Sequence, residues 1–152
     1  MNLVIFGPPG AGKGTQSNFI VKKFKLYQLS TGDLLRKEVQ SKSNLGFEIT
    51  SIINSGKLVS DEIVSKLIEN YLSNEKYKNR LIFDGYPRNL KQANNLEYLL
   101  KKNNQQISIV LNLSVSLETV KKRISERKII EKRKDDDEAV AIKRYETYEK
   151  NI

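Results

Sequence analysis

Gly7-Pro8-Pro9-Gly10-Ala11-Gly12-Lys13-Gly14-Thr15-Gln16 is the stretch whose reading decides the fold. Before it runs Leu3-Val4-Ile5-Phe6, a short continuous apolar segment of the kind found in strands buried on both faces. After it a helical pattern extends from Lys13 to about Phe24. Glycines that end in a lysine, set between a strand and a helix, make a phosphate-binding loop. The glycines let backbone N–H groups turn inward around phosphate oxygens, and the helix N-terminus adds its positive end. Lys13 supplies the charge that a migrating phosphoryl group needs. Gly10, Ala11, Gly12, Lys13, Gly14 and Thr15 are thus the candidate phosphate contacts. The general pattern places a hydroxyl directly after the lysine; here Gly14 stands there and the hydroxyl follows at Thr15.

Outward from the loop, helices and short apolar strands alternate. Strands are expected at 2–6, 26–29, 81–83 and 107–113. Helices are expected after Ser30, with Leu34 and Leu35 turned inward, and over 47–54, with Gly56 as the stop. Ser60 caps the clearest helix, whose Ile63, Val64, Leu67, Ile68, Tyr71 and Leu72 share one face. Leu90, Ala93, Leu96, Leu99 and Leu100 mark another helix, and Ser116 caps a helix carrying Leu117, Val120 and Ile124. The last helix opens on the acids Asp135 to Glu138. Such alternation predicts a doubly wound α/β fold with a parallel sheet.

Composition narrows the chemistry. With 152 residues, 38% hydrophobic, the chain is sized for one domain with a real core. It has no cysteine and no histidine, which excludes disulfides, thiol nucleophiles, thiolate zinc sites and imidazole bases. The excess of 27 Lys+Arg over 18 Asp+Glu favours anionic ligands. The basic stretch from Lys121 to Lys134 has no aromatic residue on which a base could stack and passes at once into acids, so nucleic acid is not the expected partner. No apolar run approaches the roughly 20 residues of a membrane-spanning helix, and no membrane role is expected.

Two further segments join the loop: Leu29-Ser30-Thr31-Gly32-Asp33-Leu34-Leu35-Arg36 and Phe83-Asp84-Gly85-Tyr86-Pro87-Arg88-Asn89. In this order and spacing the three resemble the nucleoside monophosphate kinases, and the adenylate kinase family above all, over the whole chain. The resemblance implies a P-loop NTPase-like parallel sheet, four strands retained, in one domain of residues 1–152. Its core would be 1–29, 60–120 and 135–152, with an acceptor-binding helical insertion over about 30–59 and a short lid over about 121–134. It implies Mg2+-dependent transfer of a phosphoryl group from ATP to AMP, with ADP as product, in a cytoplasmic monomer. Lys13, Arg88, Arg123, Arg133 and Arg144 would be catalytic. Arg123 and Arg127, one helical turn apart, would join the loop on ATP. Thr31, Arg36, Lys57, Leu58, Val59, Gly85, Arg88, Gln92, Arg133 and Arg144 would hold AMP, the arginines as planar forks for phosphate. Asp84 would hold the metal weakly, through its waters, with Asp33 as a lesser candidate.

Only Lys128 to Lys132 lie between Arg127 and Arg133, which matches the short-lid branch, so no zinc is expected. Glu126 replaces the glycine that often precedes the second lid arginine. Ser30-Thr31-Gly32 with Gln92 favours AMP, while a UMP- or CMP-type kinase, or a nucleotide-binding form with little turnover, stays open. Family members usually continue past the helix of Arg144 into a fifth strand and a closing helix, whereas this sequence stops at Ile152. The strand at 107–113 is accordingly expected at an exposed edge, a route to self-association.

Overall fold

The computed structural model describes residues 1–41, 43–55, 59–131 and 137–151. Among them, four strands form one parallel sheet: β1 (Asn2–Phe6), β2 (Tyr27–Ser30), β3 (Leu81–Asp84) and β4 (Ile107–Asn112), in the order β2-β3-β1-β4. Helices connect and cover them: α1 (Lys13–Phe24), α2 (Thr31–Gln40), α3 (Asn44–Asn54), α4 (Asp61–Leu72), α5 (Leu90–Lys102), α6 (Leu117–Glu131) and α7 (Glu138–Asn151). A short 3-10 turn at Glu75–Tyr77, which no periodicity announces, leads into β3.

Strand alternation divides the core into two layers. Val4, Leu29, Leu81 and Phe83 face α4 and α5, where Val64, Ile68, Leu72, Leu96, Leu99 and Leu100 pack against them. Leu3, Ile5 and Ile82 face the other way, onto Ile20 and Val21 of α1. A third cluster, Val120, Ile124 and Ala141, locks α6 to α7. Below the sheet the buried Asn2 accepts from Leu81 N at 3.0 Å and donates to Gln105 Oε1 at 3.1 Å, while Gln105 Nε2 donates to Leu72 O at 3.0 Å. These polar groups are buried and paired, so they fix strand register rather than weaken the core.

Some expectations are met and others need correction. Leu90 heads α5 as expected; it is 76% exposed and looks into the cleft described below. Helix α3 starts at Asn44, three residues before Phe47, with Ser43 Oγ accepting from Gly46 N at 2.9 Å. Helix α6 continues to Glu131, so residues 121–131 are helical. Helix α7 begins at Glu138, where Asp137 accepts from Ala139 N; Asp135 and the stop at Gly56 lie outside the described residues. Strand β4 is outermost on its side of the sheet among the described residues, and Ile109 and Val110 there are 44% and 57% exposed.

Candidate active site

The carboxyl ends of β1, β2 and β3 open onto a cleft of about 550 Å³, where an open parallel sheet places its ligands. One wall is the loop between β1 and α1. Gly7, Gly10 and Gly12 take φ of 151°, 75° and 91°, values that side-chain-bearing residues rarely adopt, and Gly12 is the left-handed residue that starts α1. At Gly10 an added Cβ would stand 3.2 Å from Ile124 and 3.3 Å from the Val120 carbonyl, so only glycine lets α6 lie this close over the loop. Arg123 crosses from α6 and donates to Gly10 O at 3.3 Å and Ala11 O at 3.2 Å. Gly14 is open on its exposed side, and Thr15 is exposed beside it.

Lys13 curls back into the loop and donates to Gly7 O at 2.7 Å and Pro8 O at 2.9 Å. Its ammonium is enclosed, and burial lowers its pKa from 10.5 to about 8. The Asp84 carboxylate raises it, and Arg88, Arg144 and Arg127 push it down further. Asp84 ends β3 and is 8% exposed; burial pushes its carboxyl upward, against Lys13 and a 2.8 Å hydrogen bond from Gln28 Nε2. Lys13 and Arg88 thus both act on one buried carboxylate.

A testable consequence concerns pH. A phosphate entering the loop favours the charged lysine, so nucleotide binding takes up a proton between about pH 8 and 10 and weakens as pH rises through that range. Calorimetry in buffers of different ionisation heat measures the uptake directly. Lys13→Met should abolish it.

The second wall comes from the turn after β3 and from α2. Gly85 has φ 77°, and a Cβ there would lie 2.9 Å from Arg88 Nη2 and 3.3 Å from Thr31 Oγ1. Instead the bare turn lets Thr31 Oγ1 (2.9 Å) and Arg88 Nε (2.6 Å) both donate to the Gly85 carbonyl. The peptide Tyr86-Pro87 is cis. Gln92, buried at the start of α5, accepts from Arg88 N at 2.7 Å and donates to Asp61 Oδ1 at 2.7 Å. Arg36 pairs with Asp33 three residues earlier and lies over Gly32. Val59 is buried against the same cleft; Lys57 and Leu58 lie outside the described residues, as does Arg133.

The cleft therefore brings together Lys13, Thr31, Arg36, Val59, Gly85, Arg88, Gln92 and Arg144, with Asp84 beneath Lys13. Three residues of α7 also line it and were not singled out from the sequence: Thr147, Tyr148 and Asn151. The signal existed, since they stand three, four and seven positions after Arg144 and so share its helix face. Tyr148 donates to Asn112 Oδ1 at 2.9 Å, which seats α7 on the end of β4.

Comparison with known proteins covers nearly the whole chain. A family model described as adenylate kinase matches residues 5–152. An adenylate kinase of Pelagibacter ubique (strain HTCC1062) is 48% identical over 174 aligned positions, covering 97% of this chain and 82% of that protein. One of Prochlorococcus marinus (strain NATL2A) is 47% identical over 146 positions, covering 96% and 77%. One of Caulobacter sp. (strain K31) is 43% identical over 148 positions, covering 97% and 78%. The first alignment is longer than the 152-residue chain, so at least 22 of its 174 positions have no counterpart here. The other two run nearly without gaps. Sequence, sheet order and phosphate loop agree with these matches, and the chain belongs to the adenylate kinase family.

Proposed function

We propose that this chain transfers the γ-phosphoryl group of ATP reversibly to AMP, giving two ADP. The observation that carries the reading is a single cleft at the carboxyl ends of the strands that joins Lys13 of the loop to Arg36, Arg88 and Arg144. A cluster of cations in a partly dry cleft attracts a polyanion. Two nucleotides meeting end to end supply that polyanion.

In this mechanism the loop N–H groups and Lys13 take the donor phosphates, with Arg123 and Arg127 above them. Thr31, Val59, Gly85 and Gln92 frame the acceptor adenine and its phosphate, which Arg36 and Arg88 grip. Arg144, and Arg133 beyond the described residues, complete the cage. No general base is required: holding the acceptor oxygen in line with the γ-phosphorus and stabilising equatorial charge provide most of the rate. Helices α2 and α3 act as the acceptor clamp and residues 121–134 as the lid; their closure excludes water, which protects ATP from hydrolysis. Lys143 Nζ donates to Ser55 O at 3.3 Å, linking α7 to the residue that follows α3.

The Mg2+ that travels with ATP fits the residues present. Asp84 is a buried carboxylate whose raised pKa marks an anion short of solvation, at the open end of β3, and Thr15 offers a hydroxyl at the loop rim. Among the described residues no three His, Cys, Asp or Glu side chains gather to hold an ion by themselves. Water and nucleotide phosphates would therefore complete the shell around Asp84, with Asp33 farther out. When bound, the ion neutralises charge on the transferring phosphates.

A coupled assay with Mg-ATP and AMP, UMP, CMP or GMP tests the reading. AMP is expected to exceed each of the others in kcat/KM by at least about a hundredfold, as a site with buried hydrogen-bonding groups should. Equal use of UMP or CMP would make this a pyrimidine-type enzyme. Tight binding of a dinucleoside pentaphosphate without turnover would make it a binding form.

A further inference from the structure

Asp61 takes no part in the mechanism above, yet it is built into the acceptor wall. It opens α4 directly after the capping Ser60. Its Oδ1 accepts from Gln92 Nε2 at 2.7 Å, and its Oδ2 stands 3.6 Å from Lys91 Nζ. The opposite end of the Gln92 amide is held as well, with Oε1 accepting from Arg88 N at 2.7 Å. A flipped amide would set its NH2 against the Arg88 N–H and its carbonyl against the carboxylate. Both pairs repel, so one orientation is fixed.

A primary amide has two N–H bonds and two carbonyl lone pairs. Asp61 and Arg88 use one of each, which leaves one donor and one acceptor for a ligand in the cleft that Gln92 lines. We propose that Asp61 is a positioning residue for base selection: by holding Gln92 Nε2 it sets which end of the amide donates and which accepts, and so favours a 6-aminopurine monophosphate over a 6-oxopurine one. The inference rests on the cleft being the AMP site. A 6-aminopurine presents an N6–H donor beside the N1 acceptor, the complement of a fixed carbonyl and N–H. A 6-oxopurine presents the reverse, so the fixed amide meets donor with donor and acceptor with acceptor. Without Asp61 only the Arg88 N–H opposes the flip, and the amide can turn to suit either base.

The experiment measures kcat/KM for AMP and for IMP at saturating Mg-ATP in the parent, Asp61→Ala and Asp61→Asn, with a melting curve for each. In Asp61→Ala the AMP-to-IMP ratio should fall about tenfold, IMP improving as AMP worsens, with KM for ATP within about twofold of the parent. Asp61→Asn can offer either its carbonyl or its NH2 to the Gln92 amide, so it no longer opposes the flip, and its ratio should fall as well while the contact between α4 and α5 is kept. Where Asp61→Ala does not fold, Asp61→Ser retains a polar helix start but is too short to reach Nε2, and the same fall is expected. If the parent prefers AMP and the variants lose both purines equally, Asp61 is only a strut between α4 and α5 and the inference is overturned by itself. A parent that does not prefer AMP to IMP overturns the AMP-site reading and the inference together.

Discussion

Lys13→Met should lower kcat by about a hundredfold to a thousandfold, or roughly 2.7–4 kcal/mol of transition-state stabilisation, and leave the fold intact. The lysine holds the only ammonium whose Nζ is seen inside the phosphate loop among the described residues, on the Gly7 and Pro8 carbonyls. As the phosphoryl group passes between nucleotides, negative charge spreads over its equatorial oxygens, and a cation already enclosed beside them needs no reorganisation. Methionine keeps an unbranched chain of similar length and removes the charge together with the hydrogen bonds to Gly7 O and Pro8 O. Stability should move the other way or not at all, because enclosing this ammonium is unfavourable. The folded pKa of about 8 lies below the unfolded value of 10.5, so the unfolded chain holds more protons between those pH values. The penalty is fully present below about pH 8 and fades as pH rises towards 10.5. The melting temperature of Lys13→Met should thus match or exceed the parent's at pH 7, and the parent should gain on it above pH 8. Turnover within about twofold of the parent would place the chemistry outside this loop.

How much of this was legible beforehand differs from element to element, for physical reasons. The loop between β1 and α1 and the strand before it were readable because glycine, lysine and apolar runs act locally: φ of 75° and 91° at Gly10 and Gly12 favours glycine whatever the rest of the chain does. The stripe on α4 was readable because burial repeats with the helix, and Val64, Ile68 and Leu72 are buried as the spacing requires. Leu90 announced the start of α5 but not its direction: in the first turn, above the cleft, its apolar side chain faces the cleft instead of the core. The pairing of Gln28 with Asp84, of Asp61 with Gln92 and of Asn2 with Gln105 was not legible, since each joins elements far apart in sequence through polar residues that carry no periodic signal. The resemblance assigned roles to Lys57, Leu58 and Arg133, and these lie outside the described residues.

Arg88→Ala should raise KM for AMP by about 10- to 150-fold, equivalent to the roughly 1.5–3 kcal/mol of a charge-assisted pair, and change KM for ATP by less than about threefold. The asymmetry follows from where Arg88 is anchored. Its Nε is committed to the Gly85 carbonyl at 2.6 Å, on the turn that also receives the Thr31 hydroxyl, so the guanidinium is aimed from the wall proposed to hold the acceptor. The wall proposed for the donor is built from different elements, the loop at 7–15 and Arg123 of α6. Alanine also removes one of the charges that depress the Lys13 pKa. That lysine should then hold its proton to higher pH, and the alkaline limb of the rate profile should shift upward in Arg88→Ala. The two readouts separate a role in gripping the acceptor from simple loss of a surface charge, which would move neither. Equal loss of affinity for AMP and ATP would assign Arg88 to both phosphate chains. An alkaline limb that stays in place would mean that Arg88 and Lys13 are not coupled through the cleft.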